Sequence, residues 1–169
     1  GTVSRQTGLS VSLLGQHRDF GQAATVWEAA AGPFAELLAL AKSDMTVRTA
    51  FLEARLIWGE HSIFDQAMKR FRAKIVAGTA AEFVAAKLVE RDERHRRMGD
   101  TRYVVEPNVK DGKGGLRDLH TLYWIGKYVH GVENPSDLVR VGLFSAEEFK
   151  KFERAERFFW AVRCHLHMS

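Results

Sequence analysis

The strongest constraint in this sequence is the helical repeat of its apolar residues. Near the C-terminal end, Phe149, Phe152, Phe159, Val162 and Leu166 recur at spacings that trace one face of an α-helix. Ser145 and Glu148 precede them in the order of a capping box, in which the hydroxyl accepts from the N3 amide while the carboxylate reaches back to the N-cap amide. The spacing predicts a long final helix with its aromatic stripe in the core.

The same period organises the chain upstream. Pro33, in a first turn, opens a helix carrying Phe34, Leu37, Leu38 and Ala41. Asp44 caps a second, with Val47, Phe51, Ala54 and Trp58 on one face and Gly59 as its stop. A third, His61 to Ile75, has the stripe Ile63, Phe64, Ala67, Met68 and Phe71, and Gly78 ends it. Thr79 and Glu82 form another capping box, ahead of a helix reaching about Met98. A fifth starts near Leu116, with Leu119, Leu122, Tyr123, Gly126 and Val129 on one side and Gly131 as stop. Tyr103 to Val105 is expected to be extended, because Pro107 pushes Glu106 away from helical geometry. Residues 1–22 are rich in Gly, Ser, Thr and Gln without either periodicity. The expected fold is therefore mainly α, a helical bundle-like domain with a short extended glycine-rich loop and an irregular or disordered N-terminus.

Composition narrows the function classes. With 169 residues, 46% of them hydrophobic, the chain can build one ordinary core. Its 25 basic residues exceed the 21 acidic ones by two before residue 78 and by two after it. So even a spread argues against a dedicated nucleic-acid surface. Cys164 is the single cysteine, which excludes an internal disulfide and fits a reducing cytoplasm. No apolar run approaches the roughly 20 residues of a membrane span. The chain begins without methionine and breaks off after His165 without a stop signal, so both ends are expected to be cuts in something longer. His120, His165 and His167 lack partners at metal-ligand spacing and are expected to be structural or exposed, with no metal site.

Two segments invite chemistry. The first is the charged end of the fourth helix. Glu90 with Arg94, Asp92 with Arg96, and Glu93 with Arg97 are acid-before-base pairs at i, i+4, each worth about 0.3 kcal/mol when exposed. The expectation is a solvated, self-bracing helix end with His95 solvated too; the alternative is an arginine cluster that grips phosphate.

The second is Glu106-Pro-Asn-Val-Lys-Asp-Gly-Lys-Gly-Gly-Leu-Arg-Asp118. Gly112, Gly114 and Gly115 permit tight turns and lead into helix N-terminal amides with partial positive charge, while Lys110, Lys113 and Arg117 could add cationic donors. Glu106, Asp111 and Asp118 offset those three cations, and the spacing is not that of a P-loop. An anion site and an internally salt-bridged brace both remain open on these residues alone. Under the first reading the contact residues are Lys110, Lys113, Gly114, Gly115 and Arg117.

The segment EPNVKDGKGGLRDLHTLYWIGKYVHG also resembles the E-P-N-x-K-x-G-x-G-G-L-R-D signature of bacterial PII uridylyltransferases. SDMTVRTAFLEARLIWGE (Ser43 to Glu60) and FFWAVRCHLH (Phe158 to His167) resemble two flanking segments of the same family, in order. Glutamine synthetase adenylyltransferases share only the glycine-rich stretch. The resemblance implies an enzyme that transfers UMP from UTP to the regulatory protein PII with magnesium and removes it again. It further implies that residues 33–77 end a nucleotidyltransferase domain and that residues 78–169 begin a helical companion domain, with 1–32 unmatched. No Asp-x-Asp, Gly-Ser or His-Asp occurs here, so no catalytic residue carries over. The chain itself is expected to be inactive and to need no cofactor, its partners being PII and the rest of the enzyme. A noncatalytic helical binding module is the other class open.

Overall fold

The computed structural model describes residues 26–168, with side chains from residue 34 onward. The expectation for residues 1–22 lies outside the described residues. The order is α1 (Val26–Ser43), α2 (Met45–Leu52), α3 (His61–Phe71), a π-helical turn (Arg72–Val76), α4 (Ala80–Arg97), α5 (Leu116–His130), α6 (Asp137–Arg140) and α7 (Ala146–Met168). No strand occurs among the described residues, Tyr103 to Val105 included. Pro33 sits within α1 instead of opening it: the helix has already begun at Val26, where Glu28 and the run Ala29 to Ala31 are good helix formers, and it continues through the proline despite the lost hydrogen bond and the crowding of the preceding turn.

Within the unit Glu36–Ser169, aromatic stacking ties the helices together. Phe51 of α2 stacks on Phe71 of α3 at 4.9 Å, and Phe83 of α4 on Tyr128 of α5 at 3.8 Å. Around them Ile75, Leu116, Val132 and Leu138 are fully buried. Gly126 makes the α5–α6 approach possible: a Cβ there would lie 2.5 Å from Leu138 Cδ2. Gly131 closes α5 in the left-handed region at φ 65°, as its position predicts.

Local signals are followed in some places and overruled in others. Asp44 caps α2, its carboxylate accepting from the Thr46 and Val47 amides. The box at Ser145 and Glu148 forms in both directions. The box at Thr79 does not. Its hydroxyl turns back to Ile75 O and meets the Tyr128 hydroxyl at 2.7 Å, while Glu82 pairs with Arg48 at 3.0 Å. Arg48 is buried and also donates to Ala41 O and Lys42 O, capping the end of α1.

α2 stops at Leu52 instead of reaching Trp58, which is 93% exposed. Lys127 takes Leu52 O at 2.7 Å and Trp124 Nε1 donates to Glu53 at 3.1 Å, removing acceptors and geometry that a further turn would use. α3 likewise widens into the π turn after Phe71, where Ala77 N reaches Arg72 O and Tyr128 holds Ile75 O.

Two predicted faces are also corrected. In α5 the buried positions are Leu116, Thr121, Gly126 and Tyr128, whereas Leu122 and Val129 are exposed. In α7 Phe152 is buried against Phe144, but Leu166 is 62% exposed, because the described elements leave the last turns uncovered.

Candidate functional site

The glycine-rich loop folds on itself before it meets anything else. Asn108 Oδ1 accepts from the amides of Lys110 and Asp111, and Asn108 O accepts from Gly112. The chain then doubles back, so that Val109 O accepts from Leu116 N and Lys110 O from Arg117 N, at 3.0 and 2.9 Å. Asp118 N donates to Gly115 O. The amides opening α5 are therefore capped by the loop's own carbonyls, and they are not the free anion-binding donors that the sequence suggested. Gly112 and Gly115 serve this close approach: a Cβ would meet Asn108 O at 2.6 Å and Gly112 O at 2.9 Å respectively.

Asp118 is the centre of the arrangement. Its carboxylate accepts from Gly114 N at 2.7 Å, from Arg94 Nη2 at 2.5 Å and from His95 Nε2 at 2.9 Å. Burial would raise this carboxyl, but the Gly114 amide, Arg94 and His95 outweigh it and hold the group below the ordinary carboxylate range. Arg94 and His95 are themselves buried, and Arg94 Nε has no hydrogen-bond partner among the described residues.

Neither reading of the charged helix end anticipated this. None of the three i, i+4 pairs closes to ion-pair distance; the contacts observed there are Lys87 with Glu90, Arg91 with Asp92, and both Arg94 and His95 with Asp118. Phe83, Lys87 and Arg94 fall on one helical face by their spacing, but two cations on that face give no apolar signal, so their burial became visible only in the structure.

The five sequence-derived contact residues divide. Lys113 and Gly114 stand at the edge of a cleft of about 720 Å³ between α4 and α5. Lys113 pairs with Asp100 at 2.9 Å, across the turn that follows α4. Arg117 points elsewhere, 3.7 Å from Asp111 and over the Trp124 ring. Lys110 forms no ion pair among the described residues, and Gly115 is buried in the loop. His120 lies half-buried between Trp124 and Trp160; burial, with the Arg117 charge behind it, pulls its pKa down. His165 and His167 are exposed, and no group of three metal-ligating side chains occurs among the described residues.

Fold and site together define, among the described residues, a helical module braced by a self-capped glycine-rich loop. The family model described as GlnD PII-uridylyltransferase matches residues 82–169, and the chain belongs to that family. It is 65% identical over 132 residues to the bifunctional uridylyltransferase/uridylyl-removing enzyme of Novosphingobium aromaticivorans, 58% to that of Erythrobacter litoralis and 55% to that of Rhodospirillum rubrum. Each match covers 78% of this chain and 14% of the relative, so the chain spans about a seventh of their length. No solved structure gives a significant match. Among the described residues no helix is long and apolar enough to cross a membrane.

Proposed function

We propose that this chain acts as a noncatalytic helical part of a cytoplasmic enzyme that transfers UMP from UTP to PII and removes it, with residues 33–77 closing the nucleotidyltransferase domain and residues 78–169 opening its companion. Magnesium and UTP chemistry belongs to other parts of such an enzyme. This part supplies a rigid platform that contacts substrate through the loop. The observation that supports this reading is the Asp118 cluster, which fixes the loop so firmly that its lysines are not needed as braces. Lys110 has no ion pair among the described residues, and the pair of Lys113 with Asp100 is solvent-exposed. Exposed pairs contribute only about 0–1 kcal/mol.

The double variant Lys110→Ala/Lys113→Ala in the full-length enzyme tests this. It should leave the melting temperature nearly unchanged and weaken UTP or PII binding by about 1–3 kcal/mol, the loss expected for charge-assisted hydrogen bonds. Unchanged affinity for both substrates, or a loss only in proportion to unfolding, would leave the loop as a brace and nothing more. Arg117→Ala is less diagnostic, because that side chain also packs over Trp124.

A further inference from the structure

The two halves of α7 are held differently. The first is anchored by Phe152, which is buried against Phe144. Further along, Phe158 and Leu166 are largely exposed, and α7 meets α5 where the Trp160 ring lies 6.2 Å from the imidazole of His120. Trp124, one turn on in α5, lies 5.8 Å from the same imidazole. The charges around this stack are uneven. Lys87 of α4 and Arg117 of α5 stand over the Trp124 ring at 5.2 and 5.8 Å, and Arg163 of α7 stands over Trp160 at 5.5 Å. The carboxylate that acts on His120 is Glu53, just after α2, and it is already engaged by Trp124 Nε1 at 3.1 Å and by Lys127 at 3.6 Å. Glu90 is taken by Lys87, and Glu156 of α7 lies towards Tyr123. The imidazole itself has no hydrogen-bond partner among the described residues. A proton on His120 therefore adds a cation beside three others, half out of water, against indoles whose rings already serve cations.

We propose that His120 is a proton-sensitive latch: neutral, it lets the second half of α7 pack on α5; protonated, it releases that half while α2 to α5 stay together. The stacked pairs that join those helices, Phe51 with Phe71 and Phe83 with Tyr128, contain no group that titrates near neutral pH. Protons and docking oppose each other at His120. With α7 docked, burial first and then Arg117 hold its pKa below the ordinary 6.5, Arg163 adding to them and Glu53 opposing. With α7 released, the ring regains solvent and its ordinary value. Docking is therefore complete above that value and weakens as pH falls from it towards the docked pKa.

The test is amide hydrogen exchange of the 169-residue chain, read by mass spectrometry at about pH 7.5 and about pH 5.5 and corrected for the intrinsic exchange rate. Protection of residues 154–168 should fall at least about threefold at the lower pH, while that of α4 changes by less than about 1.5-fold. His120→Phe keeps a ring between the indoles and cannot take a proton, so its α7 should be equally protected at both pH values. His120→Arg carries the charge permanently and should be loose at both. Ring-proton NMR should place the His120 midpoint below that of the exposed His61. A pH response that survives in His120→Phe belongs to another group, such as Glu156, and overturns the proposal. So does an α7 whose protection is indifferent to pH, a His120→Arg chain as protected as wild type, or a His120 midpoint at or above that of His61. Equal loosening of α4 and α7 also overturns it, because that is acid unfolding of the whole unit. If His120→Arg fails to fold, the His120→Phe comparison and the NMR midpoint decide.

Discussion

Gly114 donates its amide to the carboxylate of Asp118, four residues further along the chain and already inside α5, at 2.7 Å. Gly114 adopts φ +82°, the left-handed region that side-chain-bearing residues enter at a cost. This one bond joins the tip of the loop to a carboxylate that Arg94 and His95 hold from α4. Loop, helix start and neighbouring helix are therefore a single electrostatic unit.

Asp118→Asn should destabilise the fold by about 2–3 kcal/mol, because it leaves the buried Arg94 guanidinium without its counter-charge. The variant should also change the acid limb of the stability profile. The folded-state pKa of Asp118 lies below its ordinary 3.8, so the wild-type carboxylate contributes stability above that value and loses it as pH falls through the folded pKa. Urea unfolding followed by circular dichroism between pH 2 and 7 should show the full loss of stability in the variant at neutral pH and a flatter slope than wild type below about pH 4. Identical slopes would remove Asp118 from the account.

The two glycines differ in what they tolerate. A Cβ at Gly112 would press on the backbone carbonyl of Asn108 at 2.6 Å, whereas Gly114 has open space and only its positive φ. Gly112→Ala should cost about 1–3 kcal/mol, and Gly114→Ala about 1 kcal/mol, with Gly114→Asn milder than Gly114→Ala. Thermal melts of the three variants check the order.

Arg48 and Glu82 form one pair with unequal stakes, their side chains being 3% and 58% exposed. Arg48→Ala removes donors from Ala41 O and Lys42 O as well as from Glu82, and should cost about 3 kcal/mol. Glu82→Gln leaves the backbone bonds in place and should cost less than about 1 kcal/mol. Equal costs in denaturant titration would mean that the ion pair, not the carbonyl capping, is what Arg48 contributes.

Thr79 should couple to Tyr128, not to Glu82. A double-mutant cycle with Thr79→Ala and Tyr128→Phe should give an interaction energy of about 0.5–1 kcal/mol, while Thr79→Ala and Glu82→Gln should be additive within about 0.3 kcal/mol. The reverse pattern would restore the capping box that the sequence suggests.

What the sequence determines by itself is what depends on near neighbours along the chain. The Asp44 cap, the reciprocal bonds of Ser145 and Glu148 and the left-handed stop at Gly131 all act over a few residues, and all are realised; the helical period gives the helices as well, but not which face is buried in α5 and α7. The family signature around the glycine-rich loop is legible in the same way, as a contiguous string. What only the tertiary structure decided is where distant partners claim a group that local rules had assigned elsewhere. Glu82 turns to Arg48, 34 residues away, and leaves Thr79 uncapped; Lys127 reaches 75 residues back to Leu52 O and ends α2 early. Arg94 and His95 leave the solvated helix end because Asp118, more than 20 residues on, is brought beneath them. The physical reason is common to all three. A short-range pair at a helix surface contributes a few tenths of a kcal/mol, whereas a buried charge or carbonyl left without a partner costs several times more, so the fold satisfies the buried group first.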